Sequence, residues 1–332
     1  MDRIMSNNRE FLQLAHNFDQ KKHGIGGWYV SEKLDGMRAY WDGGITRGIS
    51  CNDIPFANTA KDYRLLNIPV STGLWTRYAK VIHAPDWFLD QLPPIPLDGE
   101  LFLDRGEFQE LMSIVKQHSP DERWHNVRYM VFDSPSDMIM FSAGRVNNPN
   151  FRLEIPDLRD YVSAKRSNDA PALPFYSILP RLASFVNTKH VILHKQSRLP
   201  GTTDAAIAKL DEMLEQITDL GGEGLIIRNP SSLWIPKRTG DLLKVKKLLD
   251  SEATITGWTE GKGKLLGLIG ALKVQWQTKA FELSGFTDAE REIGFFKIGD
   301  QVTFRYTELS KDGIPLKARY HRKIAYEIQA NS

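Results

Sequence analysis

The chain has 332 residues, enough for two domains or one large domain with a substantial core. Hydrophobic residues make up 41% and charged residues 25%, which excludes a disordered polymer, and 43 basic against 41 acidic side chains leave any affinity for polyanions to local clusters. The single cysteine, Cys51, excludes an internal disulfide and a cysteine-based zinc centre and points to a reducing compartment.

The first residues, MDRIMSNNREFLQLAHNF, lack the apolar core of a signal peptide, and no apolar run of about 18 residues occurs, so a cytoplasmic protein off the membrane is expected. Gly27 to Trp41 predicts a strand, a tight turn at Asp35-Gly36 and a second strand. Ile95 to Leu103 and Val127 to Asp133 predict further strands, and Glu223-Gly224 opens another at Leu225-Ile226-Ile227. Helical spacing predicts a helix over Glu107 to His118, with Phe108, Leu111, Met112 and Val115 inward. A second runs from Thr203 to Leu220, with Ala206, Ile207, Leu210, Leu214 and Ile217 on one face and Gly221-Gly222 as the stop. Residues Asn147 to Leu173, rich in Asn, Asp, Pro and Arg, read as a surface excursion. Beyond Leu249, short β-like runs at Ala253 to Trp258, Ala271 to Trp276, Gln301 to Tyr306 and Ile324 to Ile328 suggest a small all-β barrel, with a domain boundary near Asp250.

Lys33-Leu34-Asp35-Gly36 alone is an unremarkable turn sequence, but it has company. Asp98-Gly99-Glu100 lies between apolar runs, Glu223 precedes a strand, and Lys244-Val245-Lys246 alternates so that both amines leave one face of an extended segment. A nucleophilic lysine needs its amine as the free base, and two carboxylates can hold a hard divalent cation beside substrate phosphates. Paired lysines neutralise charge developing on a triphosphate, so the set points to phosphoryl or nucleotidyl transfer. The GxxxxGK[ST] pattern of a P-loop is absent. His83 has no clustered Cys or His partner in the sequence and reads as structural, as does Cys51.

Six segments carry a resemblance: SEKLDGMRAYWDG (from Ser31), TRYAKVIHAPDWF (from Thr76), PLDGELFLDRGEFQEL (from Pro96), VRYMVFDSP (from Val127), GGEGLIIRNP (from Gly221) and DLLKVKKLLDSEATITGW (from Asp241). In this order they resemble the motifs of the minimal ATP-dependent DNA ligases, nearest to the bacterial Lig E and related phage enzymes. The likeness continues through GKGKLLGLIGALKV (from Gly261) and KIGDQVTFRYTELSKDGIPLKARYHR (from Lys297).

The resemblance implies an α+β architecture: an ATP-grasp-like nucleotidyltransferase domain with antiparallel sheets over residues 1–249, then an all-β OB-fold domain over 250–332. Insertions are expected near 48–72 and 147–173. It also implies ATP as AMP donor, Mg²⁺ with Mn²⁺ as substitute, nicked double-stranded DNA as partner, and a monomer. By the same resemblance Lys33 is the nucleophile that forms a lysyl-adenylate, and Lys244 and Lys246 contact the α-phosphate. Ser31 and Glu32 flank the adenine, Arg38 faces the nucleotide or the nick phosphate, Glu100 binds the ribose or the metal, Glu223 holds the metal, and Phe132 stacks on adenine.

The 5′-phosphate role falls to Arg77, because the Ile-His-Ala-Pro-x-Trp-Phe phrase follows Thr76-Arg77; Arg47, after Thr46, is the runner-up. Lys61 or Arg64 in the first insertion, and Arg152, Arg159, Lys165 and Arg166 in the second, stand equally as DNA contacts or as parts of passive surface loops. Arg319 and Arg322, in a basic cluster with His321 and Lys323, orient pyrophosphate, contact DNA backbone or simply face solvent. Lys262, Lys264 and Lys273 are candidates for a grip on duplex phosphates. An RNA ligase, a GTP-using capping enzyme and a non-catalytic OB-type nucleic-acid-binding protein are the alternatives at this point.

Overall fold

A computed structural model describes residues 12–58, 69–136, 172–310 and 312–324. It divides into two compact units, Met1–Val245 and Lys246–Ser332.

In the first unit the apolar alternation expected of half-buried strands builds two five-stranded sheets. One runs in the order β1-β10-β9-β2-β8, from Leu14–Asn17 (β1), Tyr29–Glu32 (β2), Ser197–Arg198 (β8), Leu225–Arg228 (β9) and Arg238–Val245 (β10). The other runs β4-β3-β5-β6-β7, from Met37–Asp42 (β3), Leu74–Thr76 (β4), Pro96–Phe102 (β5), Arg128–Asp133 (β6) and Val191–Leu193 (β7). Most pairings are antiparallel; β1 with β10 and β6 with β7 are parallel.

Four α-helices cover these sheets among the described residues: Asp86–Leu89 (α1), Phe108–Val115 (α2), Phe175–Phe185 (α3) and Thr203–Asp219 (α4). Helix α4 buries Ala206 and Leu210 against Val30, Leu225 and Leu243, while Ile207, Leu214 and Ile217 lie half-buried at the margin of that core. In α2 the buried line is Leu111, Ile114 and Val115, so Ile114 replaces the expected Phe108 and Met112, which border a cavity. Helix α3 carries Pro180 inside it, which erases the sequence signal for a helix.

The ends of the first expected insertion are not surface loop. Cys51, Ile54, Phe56 and Ala57 are buried with Tyr40 and Trp75, and Ser50 bridges to Val70. The apolar side chains between Ile49 and Ala57 outweigh the polar ones around them, and burial follows. Lys61 and Arg64 lie outside the described residues, as do residues 147–171 of the second excursion with Arg152, Arg159, Lys165 and Arg166.

The second unit is a five-stranded antiparallel sheet in the order β13-β12-β11-β14-β17. Its strands are Leu249–Glu260 (β11), Ile269–Trp276 (β12), Lys279–Leu283 (β13), Gln301–Tyr306 (β14) and Arg319–Lys323 (β17), with a small hairpin of Glu308–Leu309 (β15) and Pro315–Leu316 (β16). It has its own core of Ile255, Leu272, Val274, Phe296, Val302 and Phe304, as an OB-fold domain requires. The expected strand at Ile324 to Ile328 falls beyond β17, and Ala325 to Ile328 lie outside the described residues.

Candidate functional site

The Lys33-Leu34-Asp35-Gly36 segment is not the hairpin turn that its sequence predicts. Strand β2 belongs to one sheet and β3 to the other, and these four residues cross between them. Lys33 N–H donates to the Gly224 carbonyl at 2.8 Å, extending the β2–β9 ladder by one residue. Gly36 has no left-handed backbone to explain it; a Cβ there would sit 2.3 Å from the Leu101 carbonyl oxygen and 2.7 Å from Glu100 Cγ. Gly99 is constrained in the same way, with the Met130 carbonyl 2.7 Å from its absent Cβ. Gly36 lets the crossing press against β5, and Gly99 lets β5 pack closely on β6; Lys33 and Glu100 line the same two cavities.

The charges around that crossing are interlocked. The Lys33 ammonium pairs with the Glu223 carboxylate, both side chains only partly exposed. On β3, Arg38 lies opposite Glu100 in register, but its guanidinium forks onto Asp98 at 2.5 and 2.7 Å and covers the Phe132 ring at 4.6 Å. Burial opposes the Arg38 charge, yet Asp98, Glu100 and Asp133 together raise its pKa. Burial pushes Glu100 from its ordinary 4.5 up to about 7, although Arg38 and Lys33 pull the other way. Asp98 is fully buried and also accepts from Trp234 Nε1 at 2.7 Å.

Two cavities open on this wall. The smaller, about 240 Å³, is lined by Ser31, Glu32, Lys33, Arg38, Glu100, Phe132 and Lys244, so most of the expected nucleotide-binding set converges there. The larger, about 1030 Å³, shares Lys33, Arg38, Glu100 and Arg77 with it and adds Glu223. Arg77 follows β4 at a turn, donates to the Tyr78 hydroxyl at 2.6 Å and lies over that ring.

Other expected residues are engaged elsewhere. Arg47 donates to Asp86 of α1 and to Asp90, which caps its C-terminal end, each at 2.7 Å, and borders neither cavity. Glu32 lines the small cavity, but its carboxylate is clasped by Arg105 at 2.7 and 2.8 Å. Lys246 is the first residue of the second unit and lines neither cavity. In that unit Arg319 donates to Ser284 Oγ at 2.6 Å and Arg322 to Thr303 Oγ1 at 3.4 Å, both side chains exposed on β17.

Sequence reasoning missed several members of the wall. Asp98, visible in Asp98-Gly99-Glu100, anchors Arg38. His194 Nε2 donates to the Glu32 carbonyl at 2.8 Å, and burial lowers the pKa of its ring, which suits a neutral donor. Arg228 pairs with buried Asp133 behind Phe132 and lies 4.1 Å over the Phe175 ring. The Asp98-Gly99-Glu100 phrase was a usable signal for the first; the other two rest on long-range pairing with no local mark.

For a divalent cation the wall offers two carboxylates, Glu100 and Glu223, close enough that Glu223 helps to raise the Glu100 pKa. No group of three or more His, Cys, Asp or Glu converges among the described residues. That donor set suits Mg²⁺, which binds through one or two carboxylates and completes its shell with water and substrate phosphates. Among the described residues no helix is long and apolar enough to cross a membrane.

Residues 260–323 match the family model of the DNA ligase OB-like domain. A DNA ligase of Haemophilus influenzae is 27% identical over 94% of this chain and 91% of its own length. A solved structure of a Lig E DNA ligase, described as binding DNA with a minimal scaffold, is 29% identical, covers 94% of this chain and 98% of its own, and superimposes with a TM-score of 0.61. A second structure, Pmar-Lig_PreS3, shares the fold with a TM-score of 0.59 at 19% identity, over 95% of this chain and 67% of its own.

Proposed function

We propose that the chain is a minimal ATP-dependent DNA ligase that seals nicks in duplex DNA with ATP as the AMP donor, a reading supported by its likeness to DNA ligases along nearly its whole length. The observation that carries this reading is the Lys33 amine, on the wall common to the two cavities and paired with Glu223 of the larger one.

In the first step Lys33 Nζ, as the free base, attacks the α-phosphorus of ATP; the new P–N bond forms as the α–β bridging P–O bond breaks and pyrophosphate leaves. Glu223 is within reach of the amine proton. Lys244, on the cavity wall, meets the α-phosphate, and Lys246 stands as a second candidate for that contact. Phe132, held beneath Arg38, offers a ring face to adenine. Ser31 and Glu32 border the nucleotide, with the Glu32 backbone held by His194 and its carboxylate by Arg105. Glu100 and Glu223 are the residues that would hold Mg²⁺, which when bound withdraws charge from the phosphates.

In the second step the 5′-phosphate of the nick takes AMP from Lys33, with Arg77 as its cationic partner. In the third, the 3′-hydroxyl attacks that phosphate and AMP departs. We assign the transfer chemistry to the first unit and backbone grip to the second, and read the protein as acting as a monomer. Arg319 and Arg322 stand as candidates to orient pyrophosphate or to meet DNA.

The test is incubation with ATP radiolabelled on the α-phosphate, comparing wild type with Lys33→Ala on a denaturing gel and then chasing with nicked duplex. Label on wild type alone that moves into sealed DNA is expected. Label from GTP alone, or none, overturns the reading.

A further inference from the structure

Gln13 is 1% exposed, lines the small cavity beside Phe132 and Lys33, and has no hydrogen-bond partner for either Oε1 or Nε2. A buried amide without partners is destabilising, and natural structures rarely keep one unless a ligand or water completes it. Its position is set by the backbone. Leu12 before it is fully buried in an apolar cluster, its own carbonyl accepts from Arg38 Nη2 at 3.5 Å, and Leu14 N–H donates to Lys237 O at 3.1 Å at the start of the β1–β10 pairing. Gln13 is one of the residues of the cavity wall, and its buried amide carries one acceptor and two N–H donors in a plane.

The geometry points to Gln13 as a residue that reads the edge of the nucleobase by pairing with the 6-amino group of adenine. A carboxamide pairs with adenine by accepting from the N6 amino group and donating to the adjacent ring nitrogen. A purine without the 6-amino group offers no donor to the amide oxygen, which then stays unpaired. Phe132 supplies a ring face, which every base satisfies; the discrimination has to come from a polar edge contact. A base edge brought to Gln13 from the cavity of about 240 Å³ would supply the partners that its amide lacks.

This inference rests on the ligase reading, and its test separates the two. Lysyl-nucleotide formation is measured with ATP and with purine riboside triphosphate, which lacks the 6-amino group, for wild type, Gln13→Leu and Gln13→Met. The readout is the ratio of kcat/KM for the two nucleotides within each protein. Impaired folding lowers both values together and leaves the ratio alone, and the methionine variant supplies the comparison if the leucine variant is not obtained. Wild type is expected to favour ATP by about tenfold or more, with the ratio falling towards one in the variants, mainly through a higher KM for ATP. A ratio retained in the variants, or no preference in wild type, overturns the role of Gln13. Failure of wild type to form any lysyl-nucleotide overturns the ligase reading itself.

Discussion

Glu100 shows how a single side chain is set by its surroundings. It is placed on β5 among Arg38, Lys33, Asp98 and Glu223, and burial dominates, so its carboxyl titrates at about 7 rather than 4.5. The folded protein thus keeps a proton that the unfolded chain loses at lower pH. Stability from this group is complete below about 4.5 and disappears as pH rises through about 7. In metal-free buffer Glu100→Gln, which mimics the neutral acid, is expected to be close to wild type at pH 5 and more stable at pH 8 by about 1–3 kcal/mol. Urea unfolding at the two pH values checks this; a variant equally displaced at both removes Glu100 as the titrating group. The neighbouring Arg38–Asp98 fork has the opposite character: both charges are compensated, and the guanidinium is held over Phe132.

Among the elements, the crossing from β2 to β3 governs the site. The run Lys33 to Gly36 has the composition of a hairpin turn, but strands flanking such a turn need not pair with each other. Here β2 pairs with β9 and β8, and β3 with β4 and β5. Gly36→Ala would drive its Cβ against the Leu101 carbonyl, backbone that cannot rotate away. The expected cost is about 1–3 kcal/mol in urea unfolding, with loss of lysyl-adenylate formation. Gly240→Ala in β10, where a Cβ meets nothing within 4 Å, is expected to stay within about 0.5 kcal/mol. Equal effects at both positions would show that close approach is not what Gly36 provides.

For the molecule as a whole, the near balance of charge leaves DNA affinity to local clusters. The second unit presents Lys262, Lys264 and Lys273 exposed on and beside the β11–β12 hairpin. Binding to nicked duplex is expected to weaken steeply with salt, each phosphate contact contributing about 0.9 to the log–log slope. Replacing the three lysines by alanine lowers that slope by about two to three. A slope that is flat in wild type, or identical in the variant, rules out this grip.

The sequence by itself determined the elements and most of the constellation. Helix α4 follows from its apolar spacing, β5, β6 and β9 from their apolar runs, and Lys33, Arg38, Glu100, Phe132 and Lys244 meet on one cavity wall as their motifs implied. Local periodicity and short motifs record what a segment does with its own backbone and which face it buries, so these were legible. Pairings across the chain were not. Lys33 and Glu223 are 190 residues apart, Glu32 and Arg105 are 73 apart, and Arg47 meets Asp86 and Asp90 39 and 43 residues later. Only the tertiary structure decided which sheet receives each strand, that Arg47 is drawn to the end of α1 while Arg77 borders the site, and that Gln13 is buried on the cavity wall with its amide unpartnered. Each depends on which surfaces exclude water together, and that is a property of the packed chain and of no single segment.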